Sequence, residues 1–303
     1  MPVVAPSPVA STPSGLKDLF GRGMNNRSDV YKLPADQVEM NRLELQHRMW
    51  VLMEGGLYPR ELSSTVRHVL APTAERRAAI LDVGSGSGIW AVEMAVEFPD
   101  AEIIGLDLAE RHSRRIAGKS SLMLRFLETH ASPRFEAADC TDDISNLPCG
   151  LFILADGHFL FDEHKSKLGP ATAGIASRGE CWFATWMLET KARMGSKSQH
   201  NFPGETLLRW IEEDGCLEKQ DGVEYFCPIN WDGDGMENGK ELGKIMWKNI
   251  QEYIAASTPA LLAHGLAHDV AETWTRNIER ELEGPKIRIY LKWCAAWGIR
   301  RTE

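Results

Sequence analysis

Asp82, Gly84, Gly86, Gly88 and Asp107 are the residues whose types and spacing first suggest chemistry. Three glycines stand at alternate positions, with an acid two places ahead of the first. A backbone without Cβ can approach a ligand closely and adopt left-handed conformations. Asp107 closes a later apolar run, where a carboxylate can accept hydrogen bonds from both hydroxyls of a ribose. A bare backbone turn with a carboxylate one strand away is the chemistry of a nucleoside-cofactor site.

The flanking residues supply the elements such a site needs. Ile80-Leu81-Asp82-Val83 reads as a short buried strand. Ile89, Trp90, Val92, Met94, Ala95 and Phe98 recur at helical spacing. Ile103-Ile104-Gly105-Leu106 is a second apolar strand running into Asp107. A dinucleotide site prefers G-x-G-x-x-G, whose third glycine allows close helix packing. Counted from Gly84, that glycine would fall at Ile89. Counted from Gly86, it falls at Ala91, a register that stays open but puts the turn late. The chain reads D-x-G-x-G-x-G, and an acid ahead of the glycines suits a ligand with an amino group and a sulfonium.

This glycine motif resembles the first motif of class I S-adenosylmethionine (SAM)-dependent methyltransferases. A narrower resemblance rests on two stretches. Residues 31–47, YKLPADQVEMNRLELQH, followed by Gly56-Leu57-Tyr58-Pro59, look like the N-terminal signature of the LaeA-like (UMTA-type) fungal methyltransferases. Residues 81–91, LDVGSGSGIWA, are similar to that family's glycine motif, tryptophan included. The similarity runs from about Tyr31 to the end of the chain. It implies an α/β, Rossmann-like class I fold: a seven-stranded, mostly parallel sheet with an antiparallel last strand, an N-terminal helical lid and a C-terminal helical insert. It also implies SAM as cofactor and a small-molecule acceptor of secondary metabolism, with one branch of the family acting as nuclear regulators.

The 303 residues are enough for one large or two small domains, and 43% are hydrophobic. The net charge of −9, with no long basic run, argues against nucleic acid as the main partner. Cys140, Cys149, Cys181, Cys216, Cys227 and Cys294 form no C-x-x-C pair, so no zinc site is expected and they read as reduced thiols. No apolar run is long enough for a bilayer, and the N-terminus does not read as a signal peptide. A cytoplasmic address is expected, or a nuclear one, with no membrane partner.

Residues 1–29 are rich in Pro, Ser and Gly and read as a flexible tail, with Leu16, Leu19 and Phe20 as a possible short helix. Residues 30–76 form the helical lid. Its main helix should run from Asp36 to Met53 and stop at Gly55-Gly56, with Leu43, His47 and Trp50 on one face and Gln46 beside them. Residues 77–303 make the SAM-binding domain, with a helical insert at about 236–284. Strands are expected at Arg134–Ala138, 148–155, Cys181–Met187, Val223–Ile229 and Lys286–Trp297, the last entering antiparallel at the sheet edge. Helices are expected at Glu61–Leu70, Glu237–Ala256 and His268–Glu283.

The cofactor contacts expected from this layout are Asp82, Gly84, Gly86, Gly88, Asp107 and Leu108. The resemblance adds an acid after the third strand to receive the adenine amino group. Asp139 is the candidate, with Cys140 backing the ring and Asp142 and Asp143 as rivals. Tyr31, Gln46 and His47 belong to the lid, Gln46 as a further cofactor contact. In the fourth strand, Ile153 replaces the family's usual aspartate, and His158 stands where an arginine is usual. His158 sits where the acceptor would lie and has the residue type to take a proton from a hydroxyl. His47 and Tyr31 are the other catalytic candidates; no metal site stands out. Three readings remain: methyl transfer to an oxygen or nitrogen of a small molecule, a SAM-binding regulator, or this fold turned to a non-methylating reaction.

Overall fold

The computed structural model describes residues 16–26, 32–73, 78–107, 134–137, 151–158, 181–194, 209, 212–213, 215, 217–283 and 288–300. Two short strands open the described chain: β1 (Lys17–Leu19) and β2 (Arg22–Met24), paired antiparallel. The end of the stretch read as a tail is therefore a hairpin, and its Leu16-to-Phe20 segment is strand and turn, not helix. Asp36 fixes it. Its carboxylate accepts from Arg22 Nε at 2.6 Å and Arg22 Nη2 at 2.9 Å, and from the backbone N–H of Gly23. The same carboxylate caps helix α1 (Gln37–Glu54) by accepting from the Glu39 N–H at 3.0 Å. Burial alone would raise the Asp36 pKa, but these hydrogen bonds and the Arg22 charge outweigh it and hold it below its usual value.

Helix α1 ends as its sequence demands. Gly55 takes a left-handed conformation (φ 73°) and returns its N–H to the Val51 carbonyl. A 3-10 turn at Arg60–Leu62 leads into α2 (Ser63–Val69). Next come β3 (Ala79–Val83), α3 (Ile89–Glu97) and β4 (Glu102–Asp107), the expected strand, glycine turn, helix and strand. β5 (Arg134–Ala137) joins β4, so β3, β4 and β5 make a parallel three-stranded sheet.

The rest of the chain builds a second sheet. β6 (Leu151–His158) and β7 (Leu217–Pro228) flank β8 (Tyr290–Arg300), and both pairings are antiparallel. The described residues thus hold two three-stranded sheets, not the single seven-stranded sheet expected. The last strand is antiparallel as expected, but it lies between β6 and β7, not at an edge.

The expected fifth strand at Cys181–Met187 is instead the start of helix α4 (Trp182–Met194). A short apolar run fits a buried strand and a buried helix equally well by periodicity. Local groups show why the helix holds. Glu281 Oε2 accepts the first-turn N–H of Phe183 at 3.0 Å, and Glu189 pairs with Arg193 one turn on at 2.8 Å.

Helices α5 (Gly239–Ala263) and α6 (His268–Glu283) follow β7, at the two places where helices were expected. One core gathers Met49 of α1, Phe183 and Trp186 of α4, Met246 and Ile250 of α5, Ile278 of α6 and Trp293 of β8. A second gathers Tyr58, Val66, Ala91, Met94, Ile103 and Trp297 around β3 and β4. Among the described residues no helix is long and apolar enough to cross a membrane.

Candidate functional site at the glycine turn

The turn after β3 is held by its neighbour strand. The N–H groups of Gly84 and Ser85 both donate to the Leu106 carbonyl at 2.8 Å, and Gly88 N–H donates to the Ser85 carbonyl at 2.7 Å. Gly84, Gly86 and Gly88 have φ of 73°, 52° and 74°, a region closed to most L side chains. Gly88 is also the residue from which α3 begins. The alternate glycines therefore meet a backbone requirement at each position.

Asp107 does more than sequence spacing suggested. Its Oδ2 accepts the Gly86 N–H at 2.8 Å, across from β4 to the loop. The carboxylate thus fixes the middle of the turn from the strand that would hold a sugar. Asp82 lies partly buried in β3, two residues before the turn.

Helix α1 roofs the turn. A Cβ built on Gly86 would come within 3.1 Å of Leu43 Cδ1, so Leu43 stands directly over that glycine. The helix is pinned there. His47 Nε2 lies 2.8 Å from Glu93 Oε2 on α3, and the Trp90 indole N–H donates to the Leu57 carbonyl at 2.6 Å. On the other flank, the buried Arg42 and Glu39 pair at 2.6 Å, and Arg42 also donates to Gln46 and Asn249.

These contacts sort the expected site residues. Asp82, Gly84, Gly86, Gly88 and Asp107 come together at one turn, and α1 lies against it. His47 is engaged by Glu93, and the Gln46 side-chain oxygen accepts from Arg42. His158 is the last residue of β6, in register with Lys292 of β8. Tyr31, Leu108, Asp139 and Cys140 lie outside the described residues. Sequence reading missed Leu43 as the roof over Gly86, Glu93 as the partner of His47, and Ser85. The Ser85 Oγ is buried with no hydrogen-bond partner among the described residues. Only its place between two glycines signalled it.

The turn fits a nucleoside cofactor on two local counts. A Cβ on Gly84 would meet nothing within 4 Å, so its outer side has room. The Ser85 hydroxyl is a buried polar group without a partner, the kind a bound ligand satisfies.

A parallel β–turn–α–β unit with an acid at the second strand end defines a Rossmann-like nucleotide-binding unit. Comparison with known proteins narrows this. No family model matches the chain. The secondary metabolism regulator laeA of Coprinopsis cinerea is 26% identical over 289 residues, 88% of this chain and 69% of that protein. A protein of Emericella nidulans named protein-methionine methyltransferase laeA is 36% identical over 83 residues, 27% of this chain and 20% of that protein. The chain is thus LaeA-like in sequence, although that second match spans only a fifth of its partner's length. A solved structure of phosphoethanolamine N-methyltransferase 2 from Haemonchus contortus with S-adenosyl-L-methionine covers 86% of this chain and 57% of its own. At 13% identity and a TM-score of 0.37 that likeness carries no argument.

Proposed function

We propose that this chain is a SAM-dependent methyltransferase whose cofactor sits at the turn between β3 and α3. One observation carries the reading: three left-handed glycines follow Asp82, with the middle one held by Asp107 from the next strand. SAM would supply a methyl group already activated on a positive sulfur. The chain's own contribution is placement. The bare turn admits the cofactor, Asp107 orients the loop and accepts from the ribose, and α1 keeps water from the turn. Tyr31, Leu108, Asp139 and Cys140 are assigned to the same pocket, its adenine and lid side. Gln46 and His47 act through α1, as positioning residues.

The acceptor is assigned as a small molecule carrying an oxygen or nitrogen nucleophile. His158 ends β6 on the acceptor side and is the group assigned to take a proton from a hydroxyl. His158→Ala should lower turnover at least tenfold with SAM affinity unchanged; equal turnover would remove it from that role.

A second reading is favoured by the likeness to the Coprinopsis secondary metabolism regulator: a regulator that binds SAM with little small-molecule turnover. Titration calorimetry with SAM, then product mass after incubation with hydroxyl, amine and methionine-peptide acceptors, separates the two. A 14-dalton gain supports the enzyme. Tight binding with no gain on any acceptor supports the regulator, and no binding of SAM overturns both.

A further inference from the structure

One face of α1 continues past the glycine turn. Leu43, His47, Trp50 and Glu54 follow one another at helical spacing, so they share a side of the helix. The stripe is about 16 Å long at the rise of an α-helix. Its first residue lies over Gly86 and its second meets Glu93. Its third, Trp50, lands on the antiparallel sheet. The Trp50 ring is 5.2 Å from Trp293 and 6.0 Å from Tyr225, centroid to centroid and edge-on to both. Trp293 and Tyr225 are direct partners across β8 and β7. On its other side Trp293 is in register with Gly157 of β6, one residue before His158. The three rings therefore stand at the strand ends to which the acceptor is assigned.

Two polar groups in this cluster are left over. The Trp293 indole Nε1 is buried and has no hydrogen-bond partner among the described residues. Glu54, one turn beyond Trp50, is 8% exposed. The groups that bear on its carboxyl are burial and then the like charge of Glu61, which together raise its pKa to about 8. Arg60 bears on Tyr225, and no cation among the described residues is among the causes acting on Glu54. A buried carboxyl with no counter-charge is costly to keep. Aromatic faces with a carboxyl beside them are the chemistry that takes an organic cation.

We propose that Trp50, Tyr225, Trp293 and Glu54 form a subsite for the alkylammonium group of the acceptor. The term acceptor rests on the methyltransferase reading; cation binding by the cluster does not. Recognition is by the ring faces and by Glu54, which ionises as the cation enters and releases its proton to solvent. Glu61 and Arg60 are the charged neighbours of the cluster, and burial raises the Tyr225 phenol pKa and keeps it protonated. Glu54 is then the group whose proton is exchanged.

Calorimetry on the full chain with choline, and with its neutral isostere 3,3-dimethylbutan-1-ol, tests this. Choline should bind at least tenfold more tightly than the isostere. Its affinity should rise about tenfold per pH unit from 6 toward 8 and level off above, because a proton leaves for each cation bound. Glu54→Gln should cost choline tenfold or more while SAM affinity and thermal unfolding at pH 6 hold. Trp50→Phe, which keeps an aromatic ring, should cost choline at least threefold. Equal binding of choline and isostere, a flat pH profile, or a folded Glu54→Gln protein that binds choline normally would each overturn the proposal. So would a Glu54→Gln protein that loses SAM but not S-adenosylhomocysteine, since the cluster would then face the cofactor's sulfonium. If choline behaves as expected but the wild type fails to bind SAM, the subsite stands and the methyltransferase reading falls.

Discussion

The two three-stranded sheets among the described residues are assembled over different distances in sequence. The parallel sheet takes its shape from near neighbours. Asp107 reaches Gly86 across 21 residues, and the turn between them is closed by backbone bonds to Leu106. The antiparallel sheet and its helices are joined by remote pairs: Arg42 with Asn249 at a separation of 207, Phe183 with Glu281 at 98, and Trp186 with Ser257 at 71. A ligand turn needs glycine at fixed spacing because backbone angles demand it. A packing surface needs only groups of matching size and polarity, wherever they lie in the chain.

Substitutions can break this contrast, and the largest expected effect is in the turn. Gly86→Val places a branched side chain at φ 52° and 3.1 Å from Leu43. SAM binding should fall below detection by calorimetry, a loss of more than about 3 kcal/mol once backbone strain and the clash are combined. The core around α4, α5 and α6 contains no residue of the turn, so cooperative unfolding should survive. Retained SAM binding would mean that the cofactor sits elsewhere.

On the other side, Glu39→Ala should leave the turn's residues intact and damage the remote assembly. Arg42 would remain buried without its carboxylate, a loss on the order of 3–5 kcal/mol in urea unfolding. If stability falls by less than 1 kcal/mol, α1 is not anchored through this pair.

The same contrast explains what the sequence made legible. β3, α3, β4, the Gly55 cap of α1 and α6 follow from period, glycine and cap signals alone. Asp107 was legible as an acid at a strand end, but not as the clamp on Gly86, because that bond depends on the register of two strands. Cys181–Met187 was misread because an unbroken apolar run carries no period to separate strand from helix; Glu281, almost a hundred residues on, caps it. The place of β8 between β6 and β7 was likewise unreadable, since alternation gives a strand's faces and not its neighbours. Leu43, His47 and Trp50 were legible as a stripe, yet what each one touches was not.

Glu54 gives a pH test of the remote assembly. Its folded pKa of about 8 lies above the ordinary carboxyl value of 4.5. The stability this group contributes is full below pH 4.5 and is lost as pH rises toward 8, because the unfolded chain ionises it freely. The loss is on the order of a few kcal/mol. Thermal unfolding of the wild type should weaken from pH 5 to pH 8.5 by several degrees more than that of Glu54→Gln. Parallel pH profiles would mean that Glu54 is solvated in the folded protein.

Asp107 draws the finest line between the regions, because it serves structure and ligand with one carboxylate. Asp107→Ala removes the acceptor for Gly86 N–H together with the ribose acceptor. It should weaken SAM by about 2–3 kcal/mol, a loss of roughly thirty- to a hundred-and-sixty-fold. Asp107→Asn keeps one carbonyl oxygen, which can still take the Gly86 N–H, and loses only the charge and the second acceptor. Its loss should be about 1–1.5 kcal/mol. Both variants should unfold within about 1 kcal/mol of wild type, since the turn lies outside the two cores. If asparagine proved as damaging as alanine, the carboxylate's charge facing the ribose would dominate and the clamp would count for little. If asparagine bound SAM like the wild type, holding the loop would be the larger part of what Asp107 does, and the locality of the parallel sheet would be the property that makes the site.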